Sequence, residues 1–295
     1  MNNEELKPNP QRKLFFGLFV FPLLIAIGMA LLLCTVVILT NEEETPESLI
    51  AAIKTGSPSK RWQKAFELSN ELNRNQESIR SQGMMKEVIH ILGDNDHYDA
   101  RTRAYMAIAL SHFRDPSCVS ALRNVLKEEN EDIQLYALWS LGILSAKSTI
   151  PDILPFLHVE NDRLRKMAVY VLGVLGEPTT IISLRPLLDD PAVDVRWNTA
   201  LSLARLGDAS GWDTLVKMLE RKILVSQHSM SEEQIEKVMI NAAKGLALLG
   251  KPESLQILEP ISRNDQSLKV RQSAIEAMQY LSGQRKELPI GTDWR

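Results

Sequence analysis

A fourteen-residue phrase returns along this chain at a nearly constant interval, and that interval limits the possible folds more than any other feature. It reads VRWNTALSLARLGD over Val195–Asp208 and LRKMAVYVLGVLGE over Leu164–Glu177. Degenerate copies occupy residues 102–115, 133–146, 238–251 and 270–283. With the position of Arg196 as anchor, the anchors are Arg103, Gln134, Arg165, Arg196, Met239 and Arg271, in steps of 31, 31, 31, 43 and 32 residues. A fixed period of this size marks a solenoid, in which each unit covers its apolar side only against its neighbours.

Each unit carries two helical patterns. Counting from the anchor, small or apolar residues fall at +3, +4, +7 and +10, as in Ala168, Val169, Leu172 and Leu175. This is one face of a 3.6-residue helix. Breaks follow at Gly176-Glu177-Pro178, Gly207-Asp208 and Gly250-Lys251-Pro252, where glycine ends one helix and proline or a cap starts the next. The second pattern lies at +16, +19, +22 and +23, as in Ile181, Leu184, Leu187 and Leu188. No strand-period alternation competes with it. The spacing predicts an all-α, α-α superhelix of about six to seven helical hairpins over residues 60–283, with an irregular first unit at 60–96 in which Arg61-Trp62, Ala65 and Leu68 echo the phrase. Pro155, Pro186 and Pro260, all at +21, are expected to bend the second helices.

The VRxxAxxxLxxLGD phrase with its period near 31 resembles the short HEAT-like repeat (an armadillo-like solenoid), of the kind found in phycobilisome lyases. Asp190 precedes Arg196 by six residues and Asp265 precedes Arg271 by six, a pairing that in such repeats implies a charge ladder between units. The other units depart from it: His97, Glu128, Val159 and Glu233 stand at −6, and Gln134 and Met239 are not basic. The resemblance covers roughly residues 97–283 and speaks for architecture, not activity. It also implies one alternative role, a lyase or chaperone-like factor for attaching a tetrapyrrole, bilin or haem.

Ahead of the repeats, residues 14–40 contain no charged side chain. Twenty-seven helical residues reach about 40 Å, enough to cross a hydrocarbon core of about 30 Å. A cleaved signal peptide has a shorter apolar region and a small-residue exit. The Leu31–Cys34 stretch lacks the small residue of a lipidation box. A single transmembrane helix is therefore expected at 14–40, with Pro22 bending it. Lys7, Arg12 and Lys13 precede it, whereas Glu42, Glu43 and Glu44 follow. That bias puts segment 1–13 in the cytoplasm and the repeats outside the inner membrane, in the periplasm of a two-membrane cell. Residues 41–59 read as a linker with a short helix.

Chemical motifs are lacking. Cys34 lies in the apolar run and Cys118 has no soluble partner for a disulfide. No HExxH, CxxC, phosphate loop or nucleophile elbow occurs. No catalytic, cofactor-binding or metal-binding residue is identified, and no small-molecule substrate. Residues 41–295 carry 31 basic and 35 acidic residues, net −4, which argues against nucleic acid. What remains is protein–protein interaction. The second helices are expected to line the concave face, through Arg123, Asn124, Lys127, Asp152, His158, Arg185, Asp213, Lys217, Glu259 and Arg263. The one strong break in the period, an insertion at 220–232, reads as a surface loop offering Ile223, Leu224 and Val225 to a partner. The tail 284–295 reads as a frayed end or a docking peptide. The chain is expected to be a non-catalytic, membrane-anchored scaffold, an accessory or assembly subunit of a membrane-associated complex.

Overall fold

In a computed structural model the described residues are 16–40, 45–74, 81–228 and 230–284, and among them there are helices and turns but no strand. Lys7, Arg12 and Lys13, the acidic run at 42–44 and the tail from residue 285 lie outside the described residues. The chain divides into two compact units, Met1–Ser48 and Leu49–Arg295.

The first unit is dominated by α1 (Phe21–Thr40), preceded by a π-helical turn over Phe16–Val20. The register changes at Pro22, because a proline ring presses on the carbonyl four residues back and offers no N–H; a wider turn relieves both problems. Gly17–Val36 spans 20 uncharged residues, none of them buried, and is long and apolar enough to cross a membrane.

In the second unit the helices alternate between two layers. The phrase forms the first-layer helices α3 (Pro58–Arg74), α5 (Ala100–Leu110), α7 (Glu131–Ile143), α9 (Asp162–Leu175), α11 (Val193–Arg205), α14 (Glu232–Leu249) and α16 (Leu268–Leu281). Between them lie the second-layer helices α4 (Gln82–Gly93), α6 (Pro116–Val125), α8 (Ile150–Ile153), α10 (Ile181–Leu184), α12 (Trp212–Lys217) and α15 (Glu253–Asn264). Two others stand outside this alternation, α2 (Pro46–Thr55) and α13 (Arg221–His228). This is the expected α-α superhelix. Ala168, Val169, Leu172, Leu184 and Leu187 are buried between the layers, as their spacing requires. Pro155 and Pro186 end the α-helical part of their second helices, which continue as 3-10 turns over Leu154–His158 and Arg185–Asp189. With Asn124 at the same position α6 runs on unbroken, and α15 absorbs Pro260. The segment expected as a linker contributes more than a tether: α2 buries Leu49, Ile50 and Ile53 in the core.

The anchors stitch the units. Arg61 donates to the His97 carbonyl at 2.6 Å, Arg103 to Glu128 at 2.6 Å, and Arg165 to both oxygens of Asp190 at 2.8 and 2.9 Å. Each accepting residue stands at −6 in the following unit. Gln134, which is not basic, instead donates back to the Leu126 and Glu128 carbonyls at 3.2 and 2.6 Å. The ladder has a substitute where Met239 cannot donate. Arg221, from the insertion, donates to both oxygens of Asp265 at 3.0 and 2.7 Å and to Glu232 at 2.6 Å. These bonds raise the Arg221 guanidinium above its ordinary value against the opposing effect of its burial. The insertion is thus a helix rather than a loop. Leu224, expected to be exposed, is 1 % exposed in the core, because α13 needs an apolar residue to hold it down.

Candidate partner-binding groove

The first-layer helices turn their apolar face (+3, +4, +7, +10) to the second layer. Their opposite face (+1, +2, +5, +9) forms one wall-to-wall groove of about 790 Å³ running from α3 to α14. Aromatic and apolar side chains form its floor. Tyr105, Tyr136 and Met167 stand at +2; Phe66, Ile108, Trp139, Tyr170 and Leu201 stand at +5. Phe66 meets Tyr105 edge-to-face at 5.4 Å between ring centroids, and Tyr105 stacks on Tyr136 at 6.3 Å. The Arg205 guanidinium sits 5.3 Å from the centre of the Tyr170 ring. Burial pushes both Tyr136 and Tyr170 upward in pKa, so both phenols stay protonated donors.

Amides and a few charges complete the lining: Asn70, Asn73, Asn198, Gln234 and Asn241, with Lys166, Asp194 and Lys237. Lys166 reaches Asp194 at 3.1 Å. Met218 and Met230 close the end near α14.

The first layer is the inner one because small residues let its helices approach closely. A Cβ on Gly173 would lie 2.4 Å from Ser202 Oγ and 2.9 Å from Ser202 Cα. Ser140 Oγ donates to the Ala107 carbonyl at 2.8 Å, and Ser202 Oγ to the Val169 carbonyl at 2.9 Å, each bond crossing to the preceding first-layer helix.

The second-layer residues expected to meet a partner lie elsewhere. None of the second-layer residues expected on the concave face borders the groove. Arg123 pairs with Asp152 at 2.8 Å across two second-layer elements, and Glu259 pairs with Arg263 at 2.6 Å. Arg185 pairs with Asp208, whose carboxyl is held down to about 2, chiefly by that hydrogen bond. Asn124, Lys127, His158, Asp213 and Lys217 are separately exposed, Ile223 is half-buried and Val225 is exposed. The groove aromatics had a signal in the sequence: they recur at +2 and +5, off the core face.

Among the described residues no three His, Cys, Asp or Glu side chains cluster as metal ligands. Burial pushes the Cys118 thiol up to about 11, which suits a core residue better than a nucleophile.

A family model described as HEAT repeats matches residues 85–164 and 150–225. No curated protein sequence matches the chain. Among solved structures, the complex of CpcE and CpcF of phycocyanin lyase from Nostoc sp. PCC7120 is similar at 18% identity, over 83% of this chain and 96% of that one, with a TM-score of 0.55. The Escherichia coli protein YibA is similar at 12% identity, over 94% and 99%, with a TM-score of 0.52. At such identities the likeness is one of fold. Together with the two-layer architecture, the family match shows that residues 85–225 of this chain are HEAT repeats.

Proposed function

We propose that this chain is a membrane-anchored, non-catalytic scaffold that holds a protein partner in the first-layer groove, as an accessory or assembly subunit of a membrane-associated complex. Repeats of this type bind protein partners. The observation that carries the reading is the aromatic and amide-lined groove across six first-layer helices, in a chain that also bears an uncharged apolar stretch, Gly17–Val36, with no buried residue. Such a groove supplies contact area and hydrogen bonds without a nucleophile or acid–base pair. The apolar helix fits a single membrane span, with the repeats outside the inner membrane by the charge bias around it. Extraction of the full chain from its native membrane in mild detergent, followed by native mass spectrometry, tests this. A stable complex heavier than the chain is expected; a chain that runs strictly alone would overturn the reading.

A second reading, tetrapyrrole attachment, is favoured by one observation: stacked aromatic rings and His112 line the same groove and suit a flat ring. Titration with haem or a bilin and an unchanged absorbance spectrum would end it.

A further inference from the structure

Resting on the partner-groove reading, we propose that the occupant is an uncharged, proline-rich segment of a partner protein, bound as a polyproline II helix. The first argument is register. A polyproline II helix repeats every three residues, about 9.3 Å, and packed helices lie about 8–10 Å apart. Each first-layer helix therefore meets the same face of the ligand once per turn. A β-strand, whose side chains alternate with period two, loses that register by the next helix.

The second argument is surface chemistry. Tyr105, Tyr136 and Trp139 come from neighbouring helices and are each half-buried, so part of every ring is open to the groove. Flat rings of this kind pack proline rings at little entropic cost, because the polyproline II ligand is preformed. Its carbonyls have no internal donors. Asn198 on α11 and Asn241 on α14, both at +2, supply amide N–H groups, one of those on Asn198 already going to the Asp194 carbonyl at 2.8 Å.

The third argument is charge. Asp194 is taken by Lys166 at 3.1 Å, and Lys237 reaches Glu233 at 3.1 Å. Asp194 is the one carboxylate in the lining, so a lysine- or arginine-rich ligand would find no partner there. A neutral segment leaves both pairs intact.

The test uses the full chain in detergent micelles and a fluorescein-labelled dodecapeptide of repeated Pro-Pro-Leu, read by fluorescence anisotropy. Saturable binding is expected, weakened about tenfold or more when every proline is replaced by glycine. Trp139→Ala and Tyr136→Ala should each weaken it about tenfold, the size of losing one well-packed anchor. Ile182→Ala, on the other layer, should leave it unchanged, and Tyr136→Phe, which keeps the ring, checks that loss is not misfolding. Equal binding of the glycine peptide, of a Lys-Arg repeat or of a neutral hexasaccharide in place of the proline peptide would overturn the proposal, as would no binding at all. A native partner that co-purifies, resists competition by the peptide and survives Trp139→Ala would also overturn it while leaving the scaffold reading intact.

Discussion

The two helix layers share a period and a core but are built from different materials. The inner layer packs through Gly173, Ser140 and Ser202, with backbone within reach of side chain. The outer layer is broken by Pro155 and Pro186 and leaves Ile182 78 % exposed. The difference teaches that close helix–helix approach depends on small residues at the contact, which the first layer has at Gly173, Ser140 and Ser202. It also implies that substitutions at the tight first-layer contacts should cost far more than substitutions on the exposed second-layer surface.

The largest contrast is expected between Gly173→Val and Ile182→Ala. Valine at 173 must displace the Ser202 backbone, and thermal or chemical denaturation should show a loss of about 3 kcal/mol or more. Ile182→Ala should stay within about 0.5 kcal/mol. Equal effects would remove the distinction between the layers.

The next comparison sets a regular junction against the insertion. Arg165→Ala and Arg221→Ala each strand a buried aspartate, Asp190 or Asp265, and each should cost about 3 kcal/mol. An Arg221→Ala variant as mild as a surface change would mean that α13 is only a tolerated insertion.

A smaller effect is expected from pH on the outer-layer pair Arg185–Asp208. The folded-state value of about 2 lies below the ordinary 3.8. The pair therefore contributes stability above about pH 4 that is lost as pH falls toward 2. The difference in melting temperature between the native chain and Asp208→Asn should hold from neutral pH to about 4 and close near 2. A gap that widens in acid would contradict the assignment.

The smallest effect belongs to the turn after α7. Ser145 has φ of 51°, where Gly176, Gly207 and Gly250 occupy the matching turns at 66°, 76° and 66°. Ser145→Gly should raise stability by about 0.5–1 kcal/mol in denaturant melts.

Much of this was legible in the chain. Apolar spacing located the helices of the repeats, and Gly176, Gly207 and Gly250 located three of the turns, because these depend on contacts within one or two units. The substitute for Met239 was not legible: Arg221 lies 44 residues from Asp265, outside any repeat register. Nor was the burial of Leu224, since an inserted segment reads as loop until something to pack against is known. That the groove is bordered by the first layer and not by the expected second-layer residues was hidden for a related reason. Both helices of a unit have an apolar face and a polar face, and nothing in either pattern alone says which polar face is concave.

The sequence by itself determined the all-α repeat, its period, its core and its one long uncharged helix, because each follows from hydrophobic periodicity over short spans. The tertiary structure alone decided which layer lines the groove, where α13 docks and how the broken ladder is completed. Those outcomes depend on small differences in helix spacing summed over many units, and on contacts between residues that no local pattern connects.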